Sequence, residues 1–80
     1  MRQELEFKES EQAYRITAEF VSINIPAAKV REFLSLPKAK RPSAARKYVD
    51  TAMAELELDD EYHETLANLL LACVDQEAIR

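Results

Sequence analysis

Glycine is absent from this eighty-residue chain. Phosphate-cradling loops, dinucleotide fingerprints and nucleophile elbows need residues that tolerate positive φ or close backbone approach, so none is present in recognisable form. Turns must come instead from Pro26, Pro37 and Pro42 and from polar residues such as Asn24, Asp59 and Asp60. Cysteine is nearly absent too. Cys73 is alone, which excludes an intramolecular disulfide, and one thiol with one histidine makes a poor structural metal site, so no cofactor is expected. Apolar runs fall well short of the roughly 18 to 20 residues that a membrane span requires. The acidic start, with Glu4 and Glu6, is unlike a signal peptide, and the expectation is a cytoplasmic protein with a reduced thiol.

What is there is a folded composition, 48% hydrophobic and 32% charged. One small domain is expected over residues 1 to 80, because short chains bury a lower fraction of their surface. A core of this size rarely supplies more than about 3 to 5 kcal/mol. With disulfides and metals set aside, a partner subunit is the remaining means of stabilisation, and a homodimer is expected.

Charge is strongly segregated. Between Ala27 and Lys47 the chain carries Lys29, Arg31, Lys38, Lys40, Arg41, Arg46 and Lys47 against Glu32 alone, a net of +6 in a protein of net −4. Residues 48 to 80 hold nine acids and one base, a net of −8. Such a division implies two surfaces with different partners, or one surface that neutralises the other.

Residues 1 to 19 form an amino-terminal extension. Leu5 and Phe7 alternate with charged neighbours and Tyr14, Ile16, Ala18 and Phe20 alternate again, which suits a hairpin around Glu9 to Gln12. A helix capped by Ser10 competes, although the β-branched content favours extended chain. Beyond Phe20 the apolar positions become odd, Val21, Ile23 and Ile25, which marks a bulge or the start of a second strand. Pro26 suits the first position of a helix ending near Leu36, before Pro37. Ser43 is a good cap for a second helix with an apolar stripe at Ala45, Tyr48, Val49, Ala52, Met53 and Leu56. Asp59 or Asp60 starts a third, whose leucines exceed one face. The helices are expected at about 26–36, 43–57 and 60–78, giving a mainly α fold with a short N-terminal strand or hairpin.

The strand, proline, short helix, basic turn and serine-capped helix over residues 20 to 56 resemble the ribbon-helix-helix family of DNA-binding proteins, the Arc and MetJ class. The resemblance rests on Phe20-Val21-Ser22-Ile23-Asn24-Ile25-Pro26, on the spacing of Pro26 and Ser43, and on Tyr48-Val49 and Ala52-Met53 as paired apolar positions. It implies an intertwined dimer in which two strands form a ribbon that reads double-stranded DNA. Val21, Ile23 and Ile25 would point inward, and Ser22 and Asn24 would contact bases, chemistry that hydroxyl and amide groups can supply. Lys38, Lys40, Arg41, Ser43, Arg46 and Lys47 would meet phosphates around a helix N-terminus. The implied function is a transcriptional regulator, antitoxin-like if the acidic tail, residues 57 to 80, binds a second protein.

The alternative function is a small acidic docking module or inhibitor that binds a larger protein through its apolar C-terminal helix. Leu66, Leu69, Leu70, Cys73 and Val74 are the candidate interface for either role. No enzyme is expected. Asp60, His63 and Glu64 share a helical face, but capping and dipole roles explain the acids, and Cys73 among leucines reads as a small apolar residue rather than a nucleophile.

Overall fold

A computed structural model describes residues 1 to 80. Three strands, β1 (Gln3–Lys8), β2 (Ala13–Ala18) and β3 (Val21–Pro26), precede three helices, α1 (Ala27–Leu34), α2 (Arg41–Ala52) and α3 (Asp60–Ala78), with single 3-10 turns at Glu9–Glu11 and Lys38–Lys40. The strands form an antiparallel meander in the order β1-β2-β3. The helices cover one sheet face, so the fold is a two-layer α+β arrangement and not a ribbon-helix-helix.

The correction originates in residues 1 to 19, which supply two strands of the sheet. Phe7 lies opposite Tyr14 and Leu5 opposite Ile16, while Thr17 lies opposite Ser22 and Arg15 opposite Asn24. The segment expected to form a two-chain ribbon therefore pairs within its own chain. Ala18 and Val21 are partners across a two-residue turn, Glu19-Phe20, which is where the apolar parity switches. Closing so short a loop costs little entropy, whereas recruiting a second chain also costs translational and rotational freedom. Glu19 takes a left-handed φ of 56° and Gln12, which ends the first turn, one of 49°. Those are positions where glycine is ordinarily favoured, and this chain has none to place there.

Helix ends differ from expectation for local reasons. Pro26 caps α1 instead of opening it, with φ −56° and ψ 141°. At the other end, Pro37 disfavours helical geometry at Leu36, and α1 stops at Leu34 with Ser35 and Leu36 bonded i→i−3 to Glu32 and Phe33. The basic linker winds into the 3-10 turn and α2 begins directly at Arg41, placing Pro42 in the first turn, where its missing N–H leaves no bond unmade. Ser43 is thus inside the helix, its hydroxyl donating to the Lys40 carbonyl at 3.2 Å. Helix α2 ends at Ala52, five residues short of the expected boundary. Extending it would place Glu55 and Glu57 at the negative end of the helix dipole, where anions are unfavourable.

The core takes Tyr14, Ile16 and Ala18 from β2, Val21, Ile23 and Ile25 from β3, Ala27, Val30 and Phe33 from α1, Ala45 and Val49 from α2, Met53 from the turn that follows it, and Leu66, Ala67, Leu70, Cys73 and Val74 from α3. One polar contact ties three elements together at its edge. Glu77, 8% exposed, accepts from the Tyr14 hydroxyl at 2.7 Å and from Arg31 at 2.9 Å. Arg80 reaches the same carboxylate at 3.5 Å while its guanidinium lies 3.7 Å from the centre of the Phe7 ring.

Burial pushes the Cys73 thiol up to about 12, so it stays protonated and unreactive near neutrality. The expected result with a thiol-labelling reagent is no modification of the native protein and full modification in denaturant. Labelling at the rate of an unstructured thiol would show that α3 detaches locally.

Candidate functional site

Helices α1 and α3 pack on the sheet and α2 packs chiefly on α3, and the shallow contact between α1 and α2 leaves a groove of about 480 Å3 along their junction. Phe33 and Leu36 from the α1 side and Ala44 and Tyr48 from α2 give it an apolar floor. Phe33 meets Tyr48 edge-on, with ring centres 6.1 Å apart and planes at 82°. Each helix contributes a lysine, Lys29 and Lys47. The Lys29 ammonium sits 5.7 Å from the centre of the Tyr48 ring and 3.5 Å from Glu32.

The structure distributes the seven cations of the basic stretch unequally. Arg31 is bound to Glu77, Lys29 to Glu32, and Arg46 to both Asp50 and Asp60. Arg41 donates to the carbonyls of Leu34 and Leu36 at 3.2 and 3.3 Å, completing the end of α1. Lys38, Lys40 and Lys47 have no carboxylate partner and are exposed. The hydrogen bond from Arg46, at 2.9 Å, is the foremost cause that holds the Asp50 carboxyl below its ordinary range, and His63 adds to the effect by bonding the same oxygen at 2.7 Å. The guanidinium of Arg46 is raised in turn by Asp50 and then by Asp60.

The two expected base readers lie together on the outer sheet face. Ser22 and Asn24 are exposed, Ser22 sharing a hydrogen bond with Thr17 at 2.9 Å and Asn24 accepting from Arg15 at 3.4 Å. Val21, Ile23 and Ile25 point into the core, as their alternation indicates. The expected partner face of α3 is largely consumed: Leu66, Leu70, Cys73 and Val74 are buried against this chain's own core, and only Leu69 is half-exposed. Asp60 and His63 turn to Arg46 and Asp50, and the chain holds no group of three His, Cys, Asp or Glu side chains that could bind a metal. No helix is long and apolar enough to cross a membrane.

Lys29, Phe33, Leu36 and Tyr48 were not expected as a site. Tyr48 reads as part of the apolar stripe of the second helix, and Leu36 as the residue near which the first helix ends. The one available signal was the half-apolar, half-cationic composition of α1 and α2 on either side of a proline-flanked turn. A second depression of about 560 Å3 crosses the outer sheet face, but its lining is mixed in charge, with the Arg2 guanidinium bound to Glu4 and the Arg2 main-chain N–H donating to the Glu19 carboxylate.

Comparison with protein-family models, with curated proteins and with solved structures finds no match.

Proposed function

We propose that this chain is a protein-docking module that takes an acidic, leucine-anchored segment of a partner protein into the groove between α1 and α2. The supporting observation is the apolar floor of Phe33, Leu36 and Tyr48 flanked by a lysine from each helix. Burying one partner leucine on that floor is worth about 1.5 to 3 kcal/mol. Exposed lysine-carboxylate pairs add about 0 to 1 kcal/mol each but steer the approach and set its orientation. Binding of this kind is weak, fast and sensitive to salt.

The test is fluorescence anisotropy with a short labelled peptide that carries leucines at i and i+4 between glutamates. Saturable binding is expected, and Lys47→Glu should weaken it about tenfold, equivalent to about 1.4 kcal/mol. Replacing the peptide leucines by serine should abolish it. Absence of binding at low salt, or equal binding by the Lys47→Glu variant, overturns the proposal.

Duplex DNA is the competing partner, favoured by Lys38, Lys40 and Lys47 standing unpaired around the turn into α2. The same titration with DNA separates the two. DNA affinity would fall at about 0.9 log units per neutralised phosphate for each log unit of salt. If Lys38→Glu with Lys40→Glu removes DNA binding and leaves the peptide unaffected, the chain uses both surfaces; DNA binding without peptide binding replaces the docking role by a regulatory one.

A further inference from the structure

The sheet has two free edges, and they are built differently. The β1 edge carries Glu4, Glu6 and Lys8, charges that discourage pairing with another strand. The β3 edge carries none. From Phe20 to Ala28 there is no charged residue, in a chain that is 32% charged. Phe20, at the start of this block, is 82% exposed.

The directions of the β3 main-chain groups follow from its register. Val21, Ile23 and Ile25 lie opposite Ala18, Ile16 and Tyr14, and the next odd residue, Ala27, donates its N–H to the Gln12 carbonyl at 2.8 Å. Antiparallel ladders alternate, so odd positions bond inward to β2 and the N–H and C=O groups of Ser22 and Asn24 face away from the sheet. Pro26, with no N–H, ends the ladder at the next even position. The open edge therefore presents two donors and two acceptors from Ser22 and Asn24.

We propose that this edge pairs with the same edge of a second copy, antiparallel about a two-fold axis at Ile23. Ser22 of each chain then lies opposite the partner's Asn24, and four main-chain hydrogen bonds use every outward group of the two residues. That is the one register in which Ser22 and Asn24 satisfy each other. The pairing makes a continuous six-stranded sheet with the helices of both copies on one side, and brings the two Ile23 side chains together on the inner face. It is isologous, hence closed at two copies. Net charge argues for this place of contact: two chains of −4 repel, and the uncharged block lets them meet without opposing like charges. The contact leaves the α1–α2 groove unoccupied, so it stands or falls independently of the docking function.

The test is sedimentation velocity over a concentration series, with far-UV circular dichroism to verify the fold. The unaltered protein is expected to be a dimer at high concentration. Joint substitution Ser22→Lys with Asn24→Lys places like charges across both pairs and should weaken dimerisation at least tenfold, leaving a folded monomer, because both side chains are exposed. Ser22→Asp with Asn24→Lys places opposite charges across both pairs in the proposed register and should restore the dimer. A wild-type monomer at all concentrations overturns the proposal, as does a dimer indifferent to the double lysine variant. Failure of the charge-swapped variant to recover overturns the register.

Discussion

Replacing Leu70 by alanine should leave a large fraction of the chain unfolded at room temperature. Leu70 is completely buried in the middle of α3 and packs into the cluster that joins both layers. Truncating a buried leucine costs about 2.7 to 5 kcal/mol, the transfer term plus the cavity left behind. The whole stability of a core this small is rarely more than about 3 to 5 kcal/mol. The two quantities are of the same size, so the folded and unfolded states of Leu70→Ala should be comparably populated, read as a shallow or absent transition in a urea titration followed by circular dichroism. Leu69→Ala, on the half-exposed side of the same helix, serves as the control and should retain a cooperative transition. A Leu70→Ala protein whose midpoint stays close to that of the parent would show that the sheet and the first two helices hold without α3.

Glu77→Ala should be the most damaging polar substitution. It strands the Tyr14 hydroxyl, on a residue with no exposed surface, and removes the partner of Arg31. Breaking a deeply buried ion pair costs about 3 to 5 kcal/mol, but Arg31 is more than half exposed, so about 2 kcal/mol is expected here. Glu77→Gln keeps an acceptor for Tyr14 and should cost less. The two also differ with pH. The Tyr14 hydroxyl, foremost, and then Arg31 hold the Glu77 carboxyl below its ordinary range, against the opposing effect of burial. The folded chain therefore binds this proton less readily than the unfolded chain. The stability it contributes is present above the ordinary carboxylate range and is lost as pH falls through that range into the depressed folded value. Parent protein should lose more thermal stability on acidification than Glu77→Gln, whose residual acid sensitivity includes that of Asp50, also held low. Identical acid limbs would show that Glu77 is not titrating against Tyr14 and Arg31.

The alternation of Val21, Ile23 and Ile25 was enough to divide β3 into an inner and an outer face, and the leucines of α3 with its acidic start marked out a helix where one stands. The partner of β3 was not legible. An apolar alternation pairs equally well with its own neighbour or with another chain, and the turns that decide between them carry no Asn-Gly or Asp-Gly signal, because Gln12 and Glu19 occupy the left-handed positions themselves. Ser43 has the chemistry of a cap, yet the 3-10 turn before it lets α2 start two residues earlier. At the candidate site the difficulty was long range. A net charge of +6 can be counted, but its division into bound and unbound cations depends on Arg31 finding Glu77 and Arg46 finding Asp60 across the fold, which spacing along the chain does not reveal. The groove is built from residues whose helical period assigns them to the interior, and its opening is set by how closely α1 and α2 approach.

A sheet clothed on only one side also guards against its own misassembly. Side chains alternate strictly, so a slip of one residue in any strand exchanges its two faces. In β2 that exchange would drive Arg15 and Thr17 inward and turn Tyr14 and Ile16 out to water. In β1 it would carry Glu4 and Glu6 under the helices. Burying one unpaired charge costs several kcal/mol, as much as the chain has to spend in total. The bare polar face thereby acts as a proofreading device, making the neighbouring registers inaccessible in a meander whose two tight turns contain no glycine to fix them.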